Sequence, residues 1–192
     1  MSQHEGVELV PDVTVENLAR AVLFAALTAV LAQASIQLPG GIPFSFQPFG
    51  VFFAGLVLGP LWGGFSLGLY LLAGVAGAPI FSNGAAGLGA VAGPTGGFLV
   101  GFLLAAVVIG AVAHRRVEPR PVATLTVPVA VAALVVGMAV MYAVGVPWFA
   151  SVQGWSLARA ATFLAPFALG DLLKVAITVG IVRVGGEAID RA

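Results

Sequence analysis

Residues 159–182 read RAATFLAPFALGDLLKVAITVGIV. Between Ala160 and Val182 only Asp171 and Lys174 carry charge. A run of about 20 apolar residues is enough for a helix to cross a bilayer, and this stretch has that length. Lys174 is the only lysine of the chain, and the other two aspartates, Asp12 and Asp190, lie near the termini. An acid and a base three residues apart fall on one helix face, where they can touch. Ionised at mid-bilayer, each costs about 2.5–3.5 kcal/mol on insertion scales. Two apolar residues would avoid that cost, and replacing a buried ion pair with them is often neutral or stabilising. The pair therefore points to a ligand site or an ion relay. The structural alternative is a buried salt bridge that only fixes helix rotation. Gly170, just before the aspartate, allows close approach of a ligand or a backbone.

The rest of the chain has the same character. Its 192 residues are 60% hydrophobic and only 8% charged, against about 25% charge in an ordinary soluble domain. From Ala21 to Ala113 there is no Asp, Glu, Lys or Arg. Strand-like alternation is absent, which argues against an outer-membrane barrel. Breaks marked by Gly, Pro and polar clusters give six spans, near 18–38, 49–59, 63–77, 98–113, 122–144 and 160–184. The fold expected is an all-α membrane bundle of six transmembrane helices. The second span is short, about half a bilayer at 1.5 Å per residue. Residues 1–17 read as a polar N-terminal cytosolic tail, 18–184 as one membrane domain, and 185–192 as a polar C-terminal tail.

Six spans place both termini on one face. The loop HRRVEPRP (114–121) shares it, with Arg115, Arg116 and Arg120, and Arg20, Arg183 and Arg191 agree. Positive charge marks the cytoplasmic face, so the expectation is a multi-pass plasma-membrane protein with cytoplasmic termini. The loops at 39–48, 78–97 and 145–158 then fall on the outer face. They hold no charge but are rich in Phe, Trp, Gln, Asn and Gly, which suits a lid over a small ligand. An interfacial aromatic belt would also place Trp148 and Trp155 there. Arg159, at the outer start of the last span, could meet an anion or snorkel to the interface. Gln33 and Gln37 read as interhelical hydrogen-bond partners.

Several chemistries are excluded. There is no cysteine, so disulfides, thiolate metal sites and Cys nucleophiles are absent. The formal net charge is zero, and nothing suggests nucleic acid as a partner. A nucleotide-binding Walker loop needs Gly-Lys-Ser/Thr, but Lys174 is followed by Val175. The only histidines are His4 and His114, too few and misplaced for a membrane metal or hydrolase site. An intramembrane aspartyl protease needs two membrane aspartates, and only Asp171 is available. No catalytic residue, metal or cofactor is expected, and the chain does not read as an enzyme. The Gly-x-x-x-Gly repeats at 55/59, 59/63, 64/68 and 97/101 signal helix packing.

Three stretches carry a family likeness: ALTAVLAQASIQLPGGIPFSFQPFGVFFAGLVLGP (26–60), LYLLAGVAGAPIFSNGAAGLGAVAGPTGGFLVGF (69–102) and FLAPFALGDLLK (163–174). They resemble the BioY family, the biotin-specific S components of energy-coupling factor (ECF) transporters. The resemblance implies S-component architecture with a biotin pocket near the outer surface. It implies a transmembrane coupling subunit and two cytosolic ATPases as partners, which would supply the energy this chain cannot. It points to Asn83, Asp171 and Lys174 as substrate-binding residues, with Gln47 next. Tyr70, Trp148 and Trp155 would offer apolar walls. A carboxylate such as Asp171 can accept a ureido N–H of biotin, and Lys174 and Asn83 can donate to the ureido oxygen or the ligand carboxylate. Charge-assisted bonds of this kind are roughly twice as strong as neutral ones. The ligand carboxylate falls to Lys174 or Arg159. Ala21, Ala25 and Ala29 match the Ala-x-x-x-Ala pattern with which S components dock on the coupling subunit; ordinary packing within the bundle is the other reading. The competing functions are a stand-alone secondary transporter with Asp171 titrating beside Lys174, an S component for another vitamin, and a purely structural bundle.

Overall fold

A computed structural model of the chain describes residues 12–37 and 43–191. It is mostly helical: α1 (Asp12–Gln33), α2 (Gln47–Val75), α3 (Gly87–Ala92), α4 (Gly96–His114), α5 (Val127–Gln153) and α6 (Leu157–Arg191). A short antiparallel ribbon, β1 (Ser35–Gln37) with β2 (Pro43–Ser45), joins α1 to α2 and pairs Ile36 with Phe44. All the helices except α3 are long and apolar enough to cross a membrane. The chain is a multi-pass membrane protein.

Among the described residues, five such helices are found where six spans are expected. The difference lies in α2, which covers the predicted second and third spans and reverses direction inside itself. Gly59 has φ 73° and ψ −172°, a conformation open essentially to glycine alone. Pro60 follows at the start of the second limb, where a missing N–H costs nothing. The two limbs then run back to back. A Cβ on Gly63 would lie 2.8 Å from the Ala54 carbonyl oxygen. Gln47 Nε2 reaches Tyr70 Oη at 2.6 Å, whereas 23 residues of straight helix would span about 35 Å. The expected turn at 59–64 is therefore a single residue wide.

Other boundaries move too. α1 starts at Asp12, inside the stretch expected as a tail, and residues 1–11 lie outside the described residues, as do Ala192 and residues 38–42 of the first loop. α5 runs nine residues past its expected end, through Pro147, to a left-handed Gly154. Within a bundle, neighbouring helices make such a proline tolerable. α6 continues to Arg191, where the C-terminal tail was expected. Asp190 there accepts the backbone N–H groups of Val122 and Ala123 at 2.6 and 3.0 Å. The Gly-rich stretch 78–97 folds as a one-turn 3-10 segment (Ser82–Gly84), α3 and the start of α4.

α4 sits between α2 and α5, and small residues set the spacing. Gly55 faces Ile109 and the Ala106 carbonyl, and Gly101 faces the backbone of Met141. Close backbone approach through small residues is how membrane helices associate where lipid is as apolar as the core. α1 packs on α2, with Thr28 against Gly50. The alanine stripe of α1 lies along this contact. Ala21 is fully buried, and Ala25 and Ala29 are partly buried against the core. The face of α1 left open is formed by Leu18, Val22, Leu23, Leu27 and Val30. Small side chains at these positions let α1 approach the bundle closely.

The bundle has two distinct ends. One carries the β ribbon, the 76–95 segment and the α5–α6 turn. The other carries Gly59, residues 115–126, the start of α1 and the end of α6. His114 ties this second end together, with Nε2 2.8 Å from the Leu56 carbonyl and Nδ1 accepting the Arg120 N–H at 3.0 Å.

Candidate ligand-binding site

A cavity of about 380 Å³ opens at the ribbon end, between β2, residues 81–95, α4, α5 and α6. Small-molecule sites are roughly 300–1,000 Å³, mostly apolar, with a few placed polar groups. Here the apolar walls include Phe44, Phe81, Phe98, Leu164 and Phe167, and the polar groups are Ser45, Gln47, Ser82, Asn83, Thr95, Tyr142, Asp171 and Lys174.

Asp171 and Lys174 are both buried and touch, as their spacing on α6 predicts: Nζ lies 2.7 Å from Asp171 Oδ1. Lys174 Nζ also donates to the Ser45 carbonyl at 2.8 Å and sits 4.1 Å from the centre of the Phe44 ring. Tyr142 Oη donates to Asp171 Oδ2 at 2.8 Å. A carboxylate has about four lone-pair sites and an ammonium three donors, so each retains capacity for a ligand. Gly170 lets the Phe44 ring lie close beside them, because a Cβ there would have to push that ring aside.

Gln47 opens α2 and is buried. Its amide is fixed from both sides. Tyr70 Oη donates to the Ile80 carbonyl at 3.0 Å, so it accepts from Gln47 Nε2. Gln47 Oε1 accepts from Ser45 Oγ at 2.8 Å and Ser82 Oγ at 2.7 Å. Asn83 takes the left-handed conformation (φ 59°) that its short amide tolerates and accepts from Ser35 Oγ at 2.9 Å. Gln33 Nε2 donates to the Phe81 carbonyl at 3.3 Å, tying α1 to the cavity wall; the side chain of Gln37 is outside the description.

Gln47, Asn83, Asp171 and Lys174 thus converge on one cavity, although Asp171 and Gln47 are over a hundred residues apart. Tyr70 does not line it; it stands behind Gln47 and orients it. Trp148 and Trp155 are not walls either. Trp148 Nε1 donates to the Gly93 carbonyl at 2.9 Å, anchoring the Gly-rich segment to α5. Trp155 packs on Phe149 and Phe163, and Arg159 stacks on it at 4.0 Å. Arg159 lies outside the lining, which leaves Lys174 as the cation at the cavity among the described residues. Sequence reasoning missed Tyr142, Ser45 and Ser82. Tyr142 carried a usable signal, because it is one of two tyrosines in the chain and falls within a predicted span, as Asp171 does.

The geometry is that of a binding pocket. Comparison with known proteins gives it a family. The BioY family model matches residues 2–191. The chain belongs to the BioY family. One relative, the biotin transporter BioY of Rhodobacter capsulatus, is 37% identical over 171 residues, covering 84% of this chain and 88% of the relative. The probable biotin transporter BioY of Pyrococcus horikoshii is 35% identical over 157 residues, covering 82% and 88%. A crystal structure of the S-component for biotin from an ECF-type ABC transporter superposes with a TM-score of 0.81 at 24% identity, covering 91% of this chain and 93% of that one. That likeness shows the fold. This BioY-family chain shares the S-component architecture and builds its cavity at the ribbon end.

Proposed function

We propose that the chain is a biotin-binding membrane subunit that mediates biotin uptake with an ECF energising module. The observation that carries the reading is the buried Asp171–Lys174 pair with Tyr142 bonded to it at an aromatic-walled cavity, in a family whose relatives are named biotin transporters. Asp171 accepts a ureido N–H of biotin. Lys174 donates its remaining N–H to the ureido oxygen or the carboxylate, and Gln47 and Asn83 add neutral bonds. The aromatic walls take the thioether bicycle and the aliphatic tail. Tyr70 acts through Gln47. No cofactor takes part.

In this proposal the two limbs of α2 each count as one pass, giving six passes and both termini on one side. The arginines cluster at the end opposite the cavity, so the positive-inside rule makes that end and the termini cytoplasmic. A transmembrane coupling subunit and two cytosolic ATPases supply the energy.

The test is equilibrium binding of labelled biotin to the purified chain in detergent, wild type beside Asp171→Asn. Tight binding by wild type and a loss of at least tenfold in the variant are expected; a hydrogen bond to a charged group contributes about 1.5–3 kcal/mol. No binding by wild type would reassign the pocket to another vitamin. Binding that the substitution leaves untouched would reduce the ion pair to a helix-fixing role. Uptake that persists in a membrane lacking any ECF ATPase and collapses with the proton gradient would favour the stand-alone transporter.

A further inference from the structure

A second cavity, of about 440 Å³, lies at the end of the bundle opposite the first, between α5 and α6. At the ribbon end these helices pack directly, with Phe149 and Ala150 of α5 against Ala160 and Leu164 of α6. At the far end the 122–124 turn stands between them. Gly186 packs on Ala123, and the Asp190 carboxylate holds the turn by two backbone N–H groups. The helices are therefore spread, and the wedge between them is the cavity. Val127, Ala130, Val179 and Val182 wall it, with Arg183, Glu187 and Arg191 at its rim. Glu187 pairs with Arg191 at 3.3 Å. Arg183 is in no ion pair among the described residues. The adjoining surface is apolar too, with Val131, Ile181 and Val184 exposed.

A wedge between two helices at this end of the bundle can hold water, lipid or protein. An apolar wall beneath an unpaired arginine matches a molecule that is apolar along its length and anionic at one end. We infer that this wedge binds an anionic phospholipid, an acyl chain along the valine wall and the phosphate on Arg183, flanked by Arg191. A guanidinium meets phosphate through paired N–H donors. Basic pockets between membrane helices are known to hold anionic head groups. An apolar helix from another protein would leave Arg183 without a partner. The site shares no residue with the first cavity and does not depend on what that cavity binds.

The experiment is native mass spectrometry of the delipidated chain in detergent, offered equimolar dioleoyl-phosphatidylglycerol and dioleoyl-phosphatidylcholine. Wild type is expected to retain one phosphatidylglycerol in at least fivefold preference. Arg183→Gln removes that preference, while Arg116→Gln, outside the wedge, keeps it. Monodisperse elution on size exclusion checks folding, so the outcome is independent of biotin. Equal retention of the two lipids by wild type overturns the inference without recourse to any variant. So does an equal loss in the two variants, which would mean diffuse attraction. Displacement of the lipid by inorganic phosphate at similar concentration also overturns it, because the apolar wall would then contribute nothing. Retention of neither lipid leaves the wedge to water or protein and overturns the inference as well.

Discussion

Asp171 binds a cation on one oxygen and a phenol on the other, and this arrangement separates stability from binding at the scale of single residues. Replacing one member of a buried ion pair strands the other and costs about 3–5 kcal/mol, whereas replacing both by apolar side chains is often neutral. Asp171→Leu alone is therefore expected to lower the thermal midpoint in detergent. Asp171→Leu with Lys174→Met should restore the midpoint to wild type or above, yet bind no biotin. A double variant that still binds would remove the pair from the site. Tyr142→Phe keeps the ring against Phe98 and deletes only the bond to Asp171. Biotin affinity should fall about tenfold, near 1.4 kcal/mol, by titration. Unchanged affinity would make Tyr142 wall alone.

At the scale of elements, glycine and alanine decide which helix faces meet. The predicted GxxxG pattern contains two kinds of glycine. Gly55, Gly63 and Gly101 mark close contacts, while Gly59 is the reversal of α2 itself. The alanine stripe of α1 follows the same logic. Enlarging a side chain in a packed interface costs typically about 1–3 kcal/mol, so Ala25→Trp should lower the thermal midpoint measurably. Leu23→Ala on the open face of α1 should stay within about 0.5 kcal/mol of wild type, as surface changes usually do. An Ala25→Trp chain as stable as wild type would turn the stripe outward, toward a partner.

The whole molecule is polar in the topological sense, with its ligand cavity at one end and nearly all its arginines at the other. The absence of cysteine makes that polarity directly measurable. Ser156→Cys lies in the short turn between α5 and α6, and Val117→Cys in the arginine-rich loop; both positions are exposed. In intact cells a membrane-impermeant maleimide is expected to label the first and to reach the second only after permeabilisation. The reverse pattern would invert the bundle and put the cavity on the cytoplasmic side.

Membrane residence, the rough position of most spans and the acid–base pair were legible in the sequence. They depend on local quantities: apolar density over about 20 residues and a three-residue spacing on one helix face. Gln47 and Asn83 were named from the resemblance to the BioY family and not from a local pattern, and both line the cavity. What only the tertiary structure decided is which way each face points. A helix that is apolar all round carries no amphipathic stripe to orient it. Contacts alone turn Ala21 inward, carry α5 through Pro147, fold α2 back at Gly59, place Tyr70 behind Gln47, bring Tyr142 to Asp171 and leave Arg159 stacked on Trp155, away from the cavity.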